Sequence, residues 1–162
     1  MDLRSDFRLG MRRLASGVSI VATTDEEGPK GFLATSVSSV ALDPTPCLLV
    51  CVNKSASSHD ALLRTQFFSV NVLAEHQVDV ARRFSSSELR SARFNGGAWE
   101  MLETGAPIYC GALASFDCRL MTTMTVQTHT VLIGSAVAVR TAGSAVEPLI
   151  YYDGCFDRNR AA

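Results

Sequence analysis

Short apolar runs broken by turn residues govern what this chain can fold into. "VSIVATT" (18–24), "FLATSVSSV" (32–40), "CLLVCVN" (47–53), "FFSVNVL" (67–73), "HTVLIGSAVAVRT" (129–141) and "PLIYYDGCF" (148–156) all have strand character. "DEEGPKG" and "LDPTP" interrupt them with acidic, glycine and proline residues that mark turns. A longer run, "APIYCGALASFDCRLMTTMTV" (106–126), reads as a partner for 129–141, joined to it near Gln127 and Thr128. Six or seven strands with turns at short intervals and only brief helices predict a mainly β fold, a closed antiparallel barrel. The almost continuous apolar run 47–53 is expected to be buried on both faces.

Helical spacing is confined to three places. Leu3, Phe7, Met11 and Leu14 fall on one face of an amphipathic N-terminal helix that should pack on something and stop at Gly17. "SHDALLRT" has a start signal, with Ser57 or Ser58 as cap and Asp60 in the first turn. Residues 75–84 place Val78, Ala81 and Phe84 on one stripe, and residues 85–106 read as an irregular excursion around Phe94 and Trp99. With no repeats, linkers or low-complexity tracts, residues 1–162 read as one domain.

Composition excludes several function classes. A net charge of -1 and a pI near 6.3 argue against a nucleic-acid or anionic-membrane surface. No apolar run has the length to span a bilayer, and "MDLRSDFRLGMRRLASG" lacks the apolar core of a signal peptide, so a cytoplasmic protein is expected. The five cysteines, Cys47, Cys51, Cys110, Cys118 and Cys155, match no zinc spacing and read as reduced small hydrophobes. Fingerprints for a Rossmann fold, a P-loop and a nucleophile elbow are all missing, and His59, His76 and His129 lack a metal-binding spacing.

Two clusters of hydroxyls remain. Thr35, Ser36, Ser38 and Ser39 follow the strand that starts at Gly31, with Val37 among them. One polar strand face explains part of this run. Gly31 and Ala34, however, also keep the backbone approachable, so that a flat ligand could use its N–H and C=O groups. Asn53, Lys54, Ser55, Ser57 and Ser58 stand between a strand end and a helix start, where unpaired N–H groups favour an anion. Capping alone would need only one of these serines. Together the clusters describe a phosphorylated planar cofactor, for which flavin is the obvious candidate.

The order and spacing of these segments then become recognisable. "MRRLASGVSIVAT", "GFLATSVSSVALDPTPCLLVCVNKSASSHDALL", "FSVNVLAEHQVDVARRF", "RF…W…GAPIYCGALASFDCRL", "THTVLIGSAVAV" and "PLIYYDGCF" resemble the flavin reductase family that supplies reduced flavin to two-component monooxygenases. The resemblance implies an FMN-binding split β-barrel with short flanking helices, and transfer of a hydride from NADH or NADPH to FAD or FMN. It also implies a homodimer, a separate oxygenase component as partner, and no nucleic acid or membrane. The long strands fit the dimer, since they carry more apolar surface than one small barrel buries.

By the same resemblance, Thr35, Ser36, Val37, Ser38 and Ser39 line the flavin ring and ribityl chain, with Ala34 leading into them. Asn53, Lys54, Ser55 and Ser57 lie on the phosphate side, and Arg82 and Phe84 approach the flavin. His129 is the residue at the nicotinamide site and the one catalytic candidate. It follows Gln127-Thr128 where many relatives have Gly-Asp. Tyr152 flanks the nicotinamide pocket, next to Asp153 where relatives often carry a basic residue. Two rival readings remain at this stage: a flavin or haem carrier without turnover, and a reductase of a corrin or other acceptor through tightly held FMN.

Overall fold

A computed structural model describes residues 2–143 and 146–157. Its elements are, in chain order, α1 (Leu3–Met11), β1 (Ser16–Gly17), β2 (Ser19–Asp25), β3 (Gly28–Ala34), β4 (Ser38–Ala41) and β5 (Cys47–Asn53). Then follow α2 (His59–Thr65), β6 (Phe67–Val72), α3 (Val78–Ser85), β7 (Trp99–Met101) and β8 (Pro107–Tyr109). The chain continues with β9 (Ala114–Val126), β10 (His129–Thr141), β11 (Ile150–Tyr152) and β12 (Cys155–Asp157).

Seven strands form one antiparallel sheet in the order β3-β2-β6-β9-β10-β5-β4. Its two edge strands, β3 and β4, are neighbours in sequence, joined only by Thr35, Ser36 and Val37. That link spans at most about 14 Å. Laid flat, the edges would stand six strand spacings apart, roughly 29 Å. The sheet therefore curls until its edges approach, which gives the mainly β split barrel that the sequence implied. Two small sheets, β1-β11-β12 and β7-β8, lie beside it.

Two buried layers hold the barrel. Inside it, Val21, Val50, Val52, Phe68, Val70, Cys118 and Leu132 pack together with Leu62 of α2. On the other side, Val18, Ile20 and Ala22 pack against Val78, Ala81 and Phe84 of α3 and against Leu73 and Leu149. β2 thus contributes to both layers and is buried on both faces from Ser19 to Thr23, as β6 is from Phe68 to Asn71. β5 instead alternates, with Leu48, Val50 and Val52 inside and Cys47, Leu49 and Cys51 half-buried. The apolar run at 47–53 does not earn its composition from two-sided burial, because its second face opens onto grooves described below.

Three further expectations change. The helix near the N-terminus forms, with Asp2 accepting from the Arg4 N–H, but no residue of it is buried, and Leu3 and Phe7 are 81% and 68% exposed. It ends at Met11 rather than at Gly17, and the Asp153 N–H donates to the Arg12 carbonyl there. The strand expected from 106 breaks at Cys110–Leu113, because Gln77 donates to the Gly111 carbonyl (2.6 Å) and pins the turn. Residues 107–109 pair with β7 instead.

At Gly134 an added Cβ would stand 2.6 Å from the Phe68 ring and 3.1 Å from the Cys118 Cβ, inside the barrel. Gly134→Val should therefore lower unfolding stability by about 1–3 kcal/mol, read as a fall in denaturant midpoint at unchanged slope. The cysteines should separate by burial. Burial, and then the neighbouring Asp117, push the Cys118 thiol up to about 12, whereas Cys110 and Cys155 are exposed. An aromatic disulfide reagent at neutral pH should label Cys110 and Cys155 on the folded protein and Cys118 only after denaturation, as mapped by peptide mass.

Candidate functional site

The β3–β4 link that closes the barrel also opens its main groove. Thr35 and Ser36 leave the ladder at the end of β3. The Ser36 hydroxyl accepts from the Cys51 N–H (3.2 Å) and lies 3.4 Å from the Cys51 carbonyl, to which it donates. This clamps the link to β5 across the seam. Beside it runs a groove of about 770 Å³ that Ala34, Thr35, Ser36, Cys51, Asn53, Ala56 and His129 line on one side. Phe32, Leu33, Phe84, Ser85, Arg93, Tyr151, Gly154 and Phe156 complete it.

Asn53 and His129 face each other as partners in the β5–β10 ladder, at the rim of the groove. His129 Nδ1 lies 3.0 Å from the Thr128 hydroxyl, which leaves Nε2 for a ligand. Asn53 Oδ1 accepts from both the N–H (2.9 Å) and the hydroxyl (2.8 Å) of Ser55. The Lys54 N–H donates to the Thr128 carbonyl (2.9 Å). The 53–57 segment is thus a closed turn that spends part of its donors internally. Lys54, Ser55 and Ser57 are exposed beyond the rim and do not line the groove. Ser58 takes the cap position of α2, yet its hydroxyl is buried without a partner and makes no capping bond.

The first hydroxyl cluster divides. Ala34, Thr35 and Ser36 face the large groove. Val37 and Ser39 line a second groove of about 500 Å³ with Val40, Leu42, Pro46, Phe116 and Val139, which is almost wholly apolar. Ser38 is exposed and donates to the Ser39 carbonyl (3.3 Å). The alternation expected through 35–39 fails because 35–37 are a crossing segment, not strand. On α3, Phe84 is buried and reaches the large groove, while Arg82 is exposed and pairs with Asp79 (3.4 Å). Tyr152 is half-buried and does not line the groove; Tyr151 does, its ring 5.5 Å from that of Phe156. Asp153 (φ 49°) and Gly154 (φ 85°) make the tight turn between β11 and β12 that sets this register.

Sequence reasoning missed Phe32, Tyr151, Phe156 and Arg93. One signal was present: a glycine inside a strand marks a close backbone approach. At Gly31 an added Cβ would meet Phe84 (3.1 Å), Phe94 (3.3 Å) and the Val21 carbonyl (2.8 Å). The apparently irregular 85–106 segment is seated there. Its rings form a chain with their neighbours, Phe94 edge-on to Phe84 (5.2 Å), then Phe94 to Trp99 (4.9 Å) and Trp99 to Tyr109 (5.0 Å) in tilted contacts. Electrostatically the groove is one-sided, since among the described residues its lining includes Arg93 and His129 and no Asp or Glu.

Comparison with known proteins agrees with this geometry. A family model described as a flavin reductase like domain matches residues 11–160. The FMN reductase (NADH) RutF of Yersinia enterocolitica is 37% identical over 153 residues, covering 94% of this chain and 83% of its own. Among solved structures, the NADH:FAD oxidoreductase of Streptomyces globisporus in complex with NAD and FAD fragments has a TM-score of 0.88 at 29% identity, covering 98% of this chain and 94% of its own. BorF, the flavin reductase component of a bacterial two-component tryptophan halogenase, has a TM-score of 0.86 at 33% identity, covering 96% and 97%. The chain belongs to the flavin reductase family.

Proposed function

We propose that this chain is an NADH-dependent flavin reductase that takes FMN or FAD into the large groove and passes reduced flavin to a separate oxygenase. The observation that carries the reading is the groove itself, in which approachable backbone and hydroxyls meet aromatic walls and no carboxylate. Its volume lies in the range of about 300–1,000 Å³ usual for small-molecule sites. Ala34 presents only a methyl, and Thr35 and Ser36 lie outside the ladder, so their backbone groups are available to the polar edge of a ring. Phe84 and Tyr151 supply apolar surface for its faces. The groove fits a flavin.

A bound flavin supplies the ring that accepts the hydride. The chain supplies position. Donors near Ser36 and Asn53 stabilise negative charge at a ring edge, and the lack of acidic groups in the lining removes repulsion against it. His129, at the rim opposite Asn53, orients the nicotinamide through Nε2 and transfers no proton in the hydride step. Lys54, Ser55 and Ser57 stand outside the rim, where they add charge and donors beside the mouth of the groove. Ser38, Ser39, Arg82 and Tyr152 belong to the surroundings of the site. The named activities of the Yersinia and Streptomyces relatives support NADH as donor and either flavin as acceptor. The halogenase component supports delivery to a partner enzyme.

The apolar groove supports a homodimer. Val40, Leu42 and Val139 beside it are exposed, and a second copy would cover them. No helix of the described residues is long and apolar enough to cross a membrane. The free cysteines of the described residues and the need for NADH support a cytoplasmic location.

Loss of reduced-nicotinamide absorbance should accelerate when purified protein meets NADH with FMN or FAD; no acceleration with either flavin would remove the reductase reading. In the same assay His129→Ala should raise the KM for NADH several-fold more than that for flavin. Leu42→Asp should convert a dimer to a monomer in light scattering, and a wild-type monomer would overturn the dimer.

A further inference from the structure

Arg93 has a charge that nothing in the described structure balances. It is only 9% exposed, and burial, with Arg90 nearby, holds its pKa below the usual guanidinium range. Nη1 donates to the Gly31 carbonyl (2.6 Å) and Nη2 to the Ser86 carbonyl (3.0 Å). Both acceptors are neutral. Nε is buried and has no partner, and no carboxylate among the described residues forms an ion pair with Arg93. Its guanidinium carbon lies 6.0 Å from the centroid of Phe84. A guanidinium so placed still carries its proton, because its ordinary pKa lies far above neutrality.

A buried cation without a counter-ion is costly, and that cost falls when an anion arrives beside it. Arg93 lines the large groove, where no acidic side chain of the described residues competes for it. The two carbonyl contacts fix the guanidinium plane before any ligand binds, so little freedom is lost on binding. Gly31 makes this possible, since a side chain there would displace the rings seated beside Arg93. A planar fork of N–H donors suits the oxygens of a phosphate better than any uncharged group.

We propose that Arg93 binds a phosphate of the nucleotide held in the groove. The inference rests on the reductase reading and deepens it. Two sources carry that chemistry, the flavin's own phosphate and the pyrophosphate of NADH. The rival is a residue that only ties the 85–106 segment to β3. A tie would serve ligands with and without phosphate equally.

The test uses the full chain and matched pairs, FMN against riboflavin and NADH against benzyl-dihydronicotinamide, a hydride donor without phosphate. In Arg93→Gln the KM ratio of FMN to riboflavin should rise roughly tenfold or more, and Arg93→Lys should recover part of the change. If instead the ratio of NADH to benzyl-dihydronicotinamide rises, the phosphate is that of the dinucleotide. Unchanged ratios in both pairs overturn the proposal. Should Arg93→Gln not fold, Arg93→Lys is scored alone by the same ratios. Wild-type protein supplies a second measurement, in which inorganic phosphate should compete with the phosphate-bearing member of one pair and spare its phosphate-free counterpart. Equal inhibition of both members, or none, also overturns it. A wild type whose NADH oxidation neither FMN nor FAD accelerates defeats the reductase reading, whereas an active wild type with unmoved ratios defeats only the role of Arg93.

Discussion

Everything in this structure depends on a link too short for a flat sheet. Thr35–Val37 join the two edges of a seven-stranded sheet, and chain geometry leaves curling as the only way to satisfy them. Curling brings β3 beside β5, and the Ser36 hydroxyl secures that approach through the Cys51 backbone. It also creates the groove, since the residues that cross the seam are free of the ladder. Fold and site are consequences of the same constraint.

The groove is a chemical environment as much as a shape. Neutral hydroxyls, backbone groups and aromatic rings surround Arg93 and His129, and among the described residues no Asp or Glu lines the groove. Asp25 pairs with Arg64 and Lys30, and Asp79 with Arg82, all outside the groove lining. In a chain of net charge -1, this sorting leaves one concave surface suited to anions. It is consistent with a family that handles nucleotides without a dinucleotide-binding fingerprint.

The strand positions were legible because hydrophobic period and turn chemistry agree over most of the chain. Positions 18–24, 47–53, 67–72 and 129–141 fall within or close to observed strands. Burial was less so. Both 18–24 and 47–53 look apolar, but only β2 packs on two faces, which depends on where α3 docks. Of the residues that the sequence proposes for the site, Ala34, Thr35, Ser36, Asn53, Phe84 and His129 line one groove. Val37 and Ser39 turn to the other groove because the link crosses the seam at 35–37, before β4 begins. Arg93 was hidden because its partners are backbone carbonyls far away in sequence, at Gly31, or in an irregular loop, at Ser86. No local pattern encodes such contacts.

The two edge strands that meet at the seam share no ladder hydrogen bonds with each other. An enclosed barrel would have to rupture several backbone pairs to release what it holds. Here the Ser36 hydroxyl ties the link to β5 and the groove lies open beside it, so that no ladder pair stands between the groove and solvent at the seam. Such an architecture favours brief residence and rapid exchange, the traits of a courier and not of a vault.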